Sequence, residues 1–96
     1  MDLDEPPPPL TGRDIRAARG ILGRLWGLGR PLRMSEMGRA LRLSGSDVGR
    51  SIRDYERDKT RITGPLSVAV EMMVHGAPPP DGIDSIVAWS RRNGRD

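Results

Sequence analysis

Ser46-Asp47-Val48-Gly49-Arg50-Ser51-Ile52-Arg53-Asp54-Tyr55-Glu56-Arg57, residues 46–57, is the stretch on which the reading of the whole chain turns. At about 100° per residue, Val48, Ile52 and Tyr55 fall within one narrow arc of a helix. Arg50, Arg53 and Arg57 fall within another arc almost directly opposite, with Ser46 among them and Gly49 and Asp54 flanking. One short helix thus carries an apolar stripe to seat it and a guanidinium ridge facing away from the seat. Ser46 is a residue type suited to capping its N-terminus.

Upstream, Met34, Met37, Ala40 and Leu41 form the apolar side of a short helix over 33–43, and Gly38 leaves room for another helix to come close. Ser44-Gly45-Ser46 reads as the turn between the two. Thr11 is a good N-cap, with Asp14 three residues on, for a first helix over 12–28 built on Ile15, Ala18, Leu22, Leu25 and Trp26. Gly27, Gly29 and Pro31 break it. Downstream, Gly64-Pro65 places proline in the first turn of a fourth helix over 65–75, where its missing N–H costs nothing. That helix is apolar on nearly every side, with only Ser67, Glu71 and His75 as a thin polar stripe. Gly76 and Pro78–Pro80 end it, and Asp81 opens a last helix to about residue 92. No strand or internal repeat is evident. The expected fold is all-α: a compact five-helix bundle with a helix-turn-helix formed by its second and third helices. Three parts are expected: a disordered acidic, proline-rich arm over 1–10, a helix-turn-helix DNA-binding domain over 11–76, and a C-terminal helix and tail over 77–96.

Composition narrows the class. The 96 residues suffice for one small domain whose core rests on Leu, Ile, Val, Met and Ala, since Trp26, Trp89 and Tyr55 are the only aromatics. Cysteine is absent, which excludes disulfides and thiolate metal sites. No apolar run approaches a membrane span, and the acidic, proline-rich start is unlike a signal peptide, so a cytoplasmic, nucleoid-associated protein is expected. The single histidine, His75, lacks metal-ligand company, and no carboxylate pair or nucleophile–base arrangement stands out, so the reading is a non-enzyme without cofactor, metal or small-molecule ligand. Net charge is +3, but its distribution is uneven: −3 over residues 1–12, +7 over 13–61 and −1 over 62–96. A cationic middle between acidic flanks suits a polyanionic partner. Codon bias is the plain alternative, because fifteen of the sixteen basic residues are arginine. It does not explain where they cluster.

A helix of this width fits the major groove of duplex DNA, and an arginine fork donates two hydrogen bonds to guanine O6 and N7. A solvated face, with Arg50/Asp54 as an ordinary i,i+4 pair, is the competing reading. Arg33 and Ser35 at the start of the second helix, and Lys59 and Arg61 beyond the third, supply flanking phosphate clamps and favour the nucleic-acid reading.

The segment Ile52-Arg53-Asp54-Tyr55-Glu56-Arg57-Asp58-Lys59-Thr60-Arg61-Ile62-Thr63-Gly64-Pro65 resembles the end of the recognition helix, and the loop after it, in the Cro/repressor-type (XRE-like) helix-turn-helix family. Tyr55 stands for that family's tryptophan and Asp58 for its usual glycine. Met37-Gly38-Arg39-Ala40-Leu41 is similar to the second helix of the family and Ile15-Arg16-Ala17-Ala18-Arg19 to the first; together the likeness covers roughly residues 10–75. Arg42 replaces the glycine that usually makes the turn, and the stretch 44–48 is about four residues longer than the compact form. Either the turn has slid to Gly45, or the third helix begins a turn earlier. The resemblance implies base contacts from Ser46, Asp47, Gly49, Arg50, Arg53 and Asp54. It implies phosphate contacts from Arg57, Lys59, Thr60 and Arg61, beside Arg33 and Ser35. It also implies a bacterial, phage or mobile-element regulator that binds as a dimer.

Val68 and Met72 of the apolar fourth helix need covering: either the last helix folds back over them or a second copy does, and the homodimer is the favoured reading. Ile83, Ile86, Val87 and Trp89 of the last helix are the further candidates for that interface, and two recognition helices about 34 Å apart would read a palindromic operator. The alternatives are a protein-binding adaptor or antitoxin on the same scaffold, and an architectural DNA binder without sequence preference.

Overall fold

Five helices form where the pattern places them, and each starts and stops for a local reason. The computed structural model describes residues 9–45 and 47–93; the acidic arm up to residue 8, Ser46 and the tail from 94 lie outside them. Helix α1 spans Gly12–Leu25, capped by Thr11, whose side chain accepts from the Asp14 amide while Asp14 accepts from the Thr11 amide. Helix α2 spans Met34–Ala40, α3 Val48–Glu56, α4 Gly64–Val74 and α5 Ile83–Asn93. Asp47 caps α3 by accepting from the Arg50 amide at 3.0 Å, and Thr63 caps α4. No strand occurs among the described residues. The all-α, five-helix expectation is met.

Helices α1 to α4 end in the same way. A residue just past each takes a left-handed φ, its N–H bonds the carbonyl three residues back, and the next N–H bonds the carbonyl five back. Gly27 (φ 73°) and Gly76 (φ 111°) serve α1 and α4. Arg42 (φ 54°) and Asp58 (φ 56°) serve α2 and α3. The second helix therefore stops at Ala40 rather than running to residue 43, although Leu41 and Leu43 continue its apolar period. Both Arg42 and Gly45 (φ 111°) take a positive φ in the connection, and α3 begins at Val48 rather than a turn earlier.

Packing follows the stripes. Helix α2 lies against α3 and α5, while α1 lies against α3 and α4. Ile15, Leu22, Leu32, Met37, Ile52, Val70 and Ile86 join one core, and Trp26 packs against it half-buried. Gly38 permits the α2–α3 contact: a Cβ there would stand 2.8 Å from the Val48 carbonyl oxygen. Gly12 does the same where α1 meets the Tyr55 and Glu56 carbonyls at the end of α3.

Two expectations fail here. Ser67 is buried rather than part of a solvent-facing polar stripe, because its Oγ accepts the Leu10 amide at 3.0 Å. Ile86 is 1% exposed and belongs to the core of its own chain, so it is unavailable to a partner.

Candidate nucleic-acid interface

Helix α3 presents the two faces its spacing demands. Val48 and Ile52 are buried and Tyr55 is half-buried against the core, while Arg50, Arg53 and Arg57 are exposed. Among the described residues none of these three arginines forms an ion pair, and Arg50 does not pair with Asp54. The solvated-face alternative loses its proposed partner.

The ridge borders a cationic groove that the sequence pattern did not reveal. Two adjoining recesses of about 350 and 290 Å³ share Arg19, Met34 and Arg53. Arg16 and Arg19 from α1, Arg30 and Arg33 from the α1–α2 connection, and Arg53 and Arg57 from α3 line them. Two of these cations are spoken for. Arg19 grips Glu56 through Nε and Nη2, the latter bond measuring 2.9 Å, and so ties α1 to the end of α3. Arg30 grips Glu36 at 2.8 and 3.0 Å. Among the described residues Arg16, Arg33, Arg53 and Arg57 form no ion pair, and they line the recesses. Arg16 stands three residues before Arg19, a spacing that shares a helix face, and that was the one signal available for it.

Glu36 is fully buried. Burial pushes its carboxyl up. The Arg30 hydrogen bonds, the Arg33 amide at 2.7 Å, the Arg30 charge and the facing Ser90 hydroxyl outweigh that and hold it below the usual carboxylate range. In turn the carboxylate raises the Arg30 guanidinium above its ordinary value. Glu36 thereby satisfies the amide of Arg33, the N-cap of α2, and fixes the α1–α2 connection beneath the groove.

The remaining candidates divide. Asp47 is the α3 N-cap, Asp54 is half-buried, and Lys59, Thr60 and Arg61 are exposed on the loop after α3. Ser46 falls outside the described residues. Gly49 is buried, so it offers no surface to a base, and Ser35 is buried at the start of α2 rather than open to phosphate. Both leave the set of expected contacts. Of the interface candidates, Val68 and Met72 are 55% and 57% exposed, and Met72 borders an apolar groove with Ala69, Ala77 and Pro78. Ile83 and Val87 are half-buried. Trp89 is half-buried beneath Arg39, whose guanidinium carbon lies 5.3 Å from the ring centroid, so this ring has a partner within its own chain.

The described residues hold no cluster of acidic or imidazole side chains able to bind a metal, and no helix is long and apolar enough to cross a membrane. Comparison of the chain with protein-family models, curated proteins and solved structures returns no match.

Proposed function

We propose that this protein is a sequence-specific, double-stranded-DNA-binding transcriptional regulator, a repressor, that seats α3 in the major groove. The observation that carries this is the outward set Arg50, Arg53 and Arg57, in no ion pair among the described residues, on a helix whose opposite side is locked into the core. Arg50 and Arg53 read guanine edges, and Asp54 borders them as an acceptor. Arg57, Lys59, Thr60 and Arg61 hold one stretch of phosphate backbone, and Arg16 and Arg33 across the groove hold another. Helices α2 and α3, joined by residues 41–47, act as the helix-turn-helix. Its likeness to the Cro/repressor type supports this reading.

A second copy covers Val68 and Met72, which α5 leaves exposed, and places two reading helices on a palindromic operator. The same uncovered face favours the rival adaptor reading, in which a different protein docks there. The place of action is the bacterial cytoplasm, on the nucleoid.

Selection of bound sequences from a random pool tests the proposal, followed by two substitutions. Arg50→Ala is expected to weaken the selected site by about 1–3 kcal/mol while changing random DNA little. Arg61→Ala is expected to weaken both alike and to lower the salt slope by about one. An adaptor would enrich no sequence, and equal losses on both DNAs for Arg50→Ala would remove that residue from base reading.

A further inference from the structure

Arg19 locks the three walls of the cationic groove together. From α1, its Nε and Nη2 hold Glu56 of α3, and its Nη1 donates to the Leu32 carbonyl of the α1–α2 connection at 2.9 Å. The Leu32 amide donates back to the Arg19 carbonyl at 3.0 Å. Gly23 lets the connection lie flush on α1, because a Cβ there would collide with the Arg30 carbonyl oxygen.

The lining of this groove is one-sided in charge. Arg16, Arg19, Arg30, Arg33, Arg53 and Arg57 meet one carboxylate, Glu56, whose side chain is 9% exposed and turned to Arg19. Counting also Glu36, which holds Arg30 from behind, six cations against two carboxylates leave an excess of +4. Residues outside the described ones carry a net side-chain charge of −3, too little to neutralise it. That excess, and not the freedom of any one guanidinium, calls for an anion.

We propose that the groove binds a di- or triphosphate group, free or carried by a nucleoside, and that this ligand competes with the DNA backbone for Arg16 and Arg33. The competition rests on the DNA-binding reading; the anion site does not.

Guanidinium forks suit phosphate oxygens in bidentate pairs. The recesses of about 350 and 290 Å³ adjoin and together are of small-ligand size, so successive phosphates reach cations from all three walls. A compact ligand enters a recess that a duplex can only span. Arg19 and Arg30, already fixed by their carboxylates, are pre-set donors, so little ordering is lost on binding.

Calorimetric titration with inorganic tripolyphosphate and with adenosine triphosphate, without DNA and at about 150 mM salt, tests the site. Arg16→Gln/Arg33→Gln removes two groove cations and keeps the Arg33 amide that Glu36 accepts. Arg13→Gln/Arg24→Gln lowers net charge equally, at exposed positions of α1 outside the groove. The parent is expected to bind a single equivalent, the groove variant at least about tenfold more weakly, and the control within about twofold of the parent. Equal losses in the two variants, or several equivalents per chain, reduce the signal to diffuse charge attraction and overturn the site. Either ligand bound in the expected way supports it, and the tighter of the two names the source of the phosphates. With a random-sequence duplex present, tripolyphosphate is expected to release the DNA at concentrations where sulfate of matched ionic strength does not. Equal release by both salts overturns the competition. A chain that binds the anion in its groove but no duplex keeps the site and defeats the DNA reading; one that binds duplex and no anion does the reverse.

Discussion

Helices α1 and α4 close on Gly27 and Gly76, whereas α2 and α3, the pair beneath the candidate interface, close on Arg42 and Asp58 in the same left-handed turn. Glycine adopts that conformation without steric penalty; another residue costs about 1–2 kcal/mol there. What sets these two positions apart is what their side chains reach. Arg42 forks onto Asp81 at 2.8 and 3.2 Å and ties the end of α2 to the residues before α5. Asp58 accepts the Gly12 amide and ties the end of α3 to the start of α1. Where a helix only has to stop, glycine serves. Where its position matters to the groove, a side chain tethers the stop to a neighbour at a backbone cost.

The largest effect is expected at the other end of α2, where the tether is buried. Glu36→Ala removes the acceptor for the Arg33 amide and strands Arg30. Breaking a buried pair costs about 3–5 kcal/mol, and Arg30, 38% exposed, can rehydrate, so about 3 kcal/mol is expected in chemical denaturation. A loss under about 1 kcal/mol would mean that α2 is not held through its side chains. The pH profile carries the same information. The folded carboxyls of Glu36 and Asp81 both lie below their ordinary values, Asp81 chiefly through the Arg42 hydrogen bond. Their contribution is therefore complete above the unfolded values of about 4.3 and 3.9 and is lost as pH falls through the lower folded ones. Glu36→Ala should flatten that acid limb.

Next comes Asp58→Ala, which keeps the left-handed turn but removes the acceptor for Gly12. About 1–1.5 kcal/mol is expected, mostly from the lost hydrogen bond, with a few tenths from alanine's poorer tolerance of positive φ. Gly27→Ala sharpens the contrast. A Cβ there meets nothing within 4 Å, so its cost is backbone strain alone, about 1 kcal/mol. If Asp58→Ala costs almost no stability while Gly27→Ala costs its backbone strain, the Asp58 side chain contributes nothing as a tether.

Much of this was legible in the sequence. The opposed Val48/Ile52/Tyr55 and Arg50/Arg53/Arg57 arcs survive intact, as do the helix count, the proline start of α4 and the close approach at Gly38. What stayed hidden depends on contacts between residues far apart in the chain. Periodicity carried α2 on to residue 43 because Leu41 and Leu43 keep the apolar spacing, and nothing local marks Arg42 as left-handed. Ser67 read as surface because its partner, Leu10, lies 57 residues away. Ile86 and Val87 share a stripe, and spacing alone does not distinguish a side buried in its own core from one kept for a partner. Arg16, Arg19 and Arg30 were invisible as a group, since the groove they line exists only once α1, the connection and α3 are brought together.

The smallest expected change is also the most discriminating. Asp58→Gly relieves about 1 kcal/mol of backbone strain and forfeits a hydrogen bond worth about as much, so its stability should lie within about 0.5 kcal/mol of the parent. A near-zero net result could equally come from a residue that does nothing, and amide exchange separates the two. If Asp58 tethers α1, the Gly12 amide loses its acceptor in Asp58→Gly and exchanges faster, while the amides at the end of α3 keep their protection because glycine still closes that helix. Unchanged Gly12 exchange alongside unchanged stability would leave Arg42 and Asp58 as mere substitutes for glycine, and the contrast between the two pairs of helix ends would lose its physical meaning.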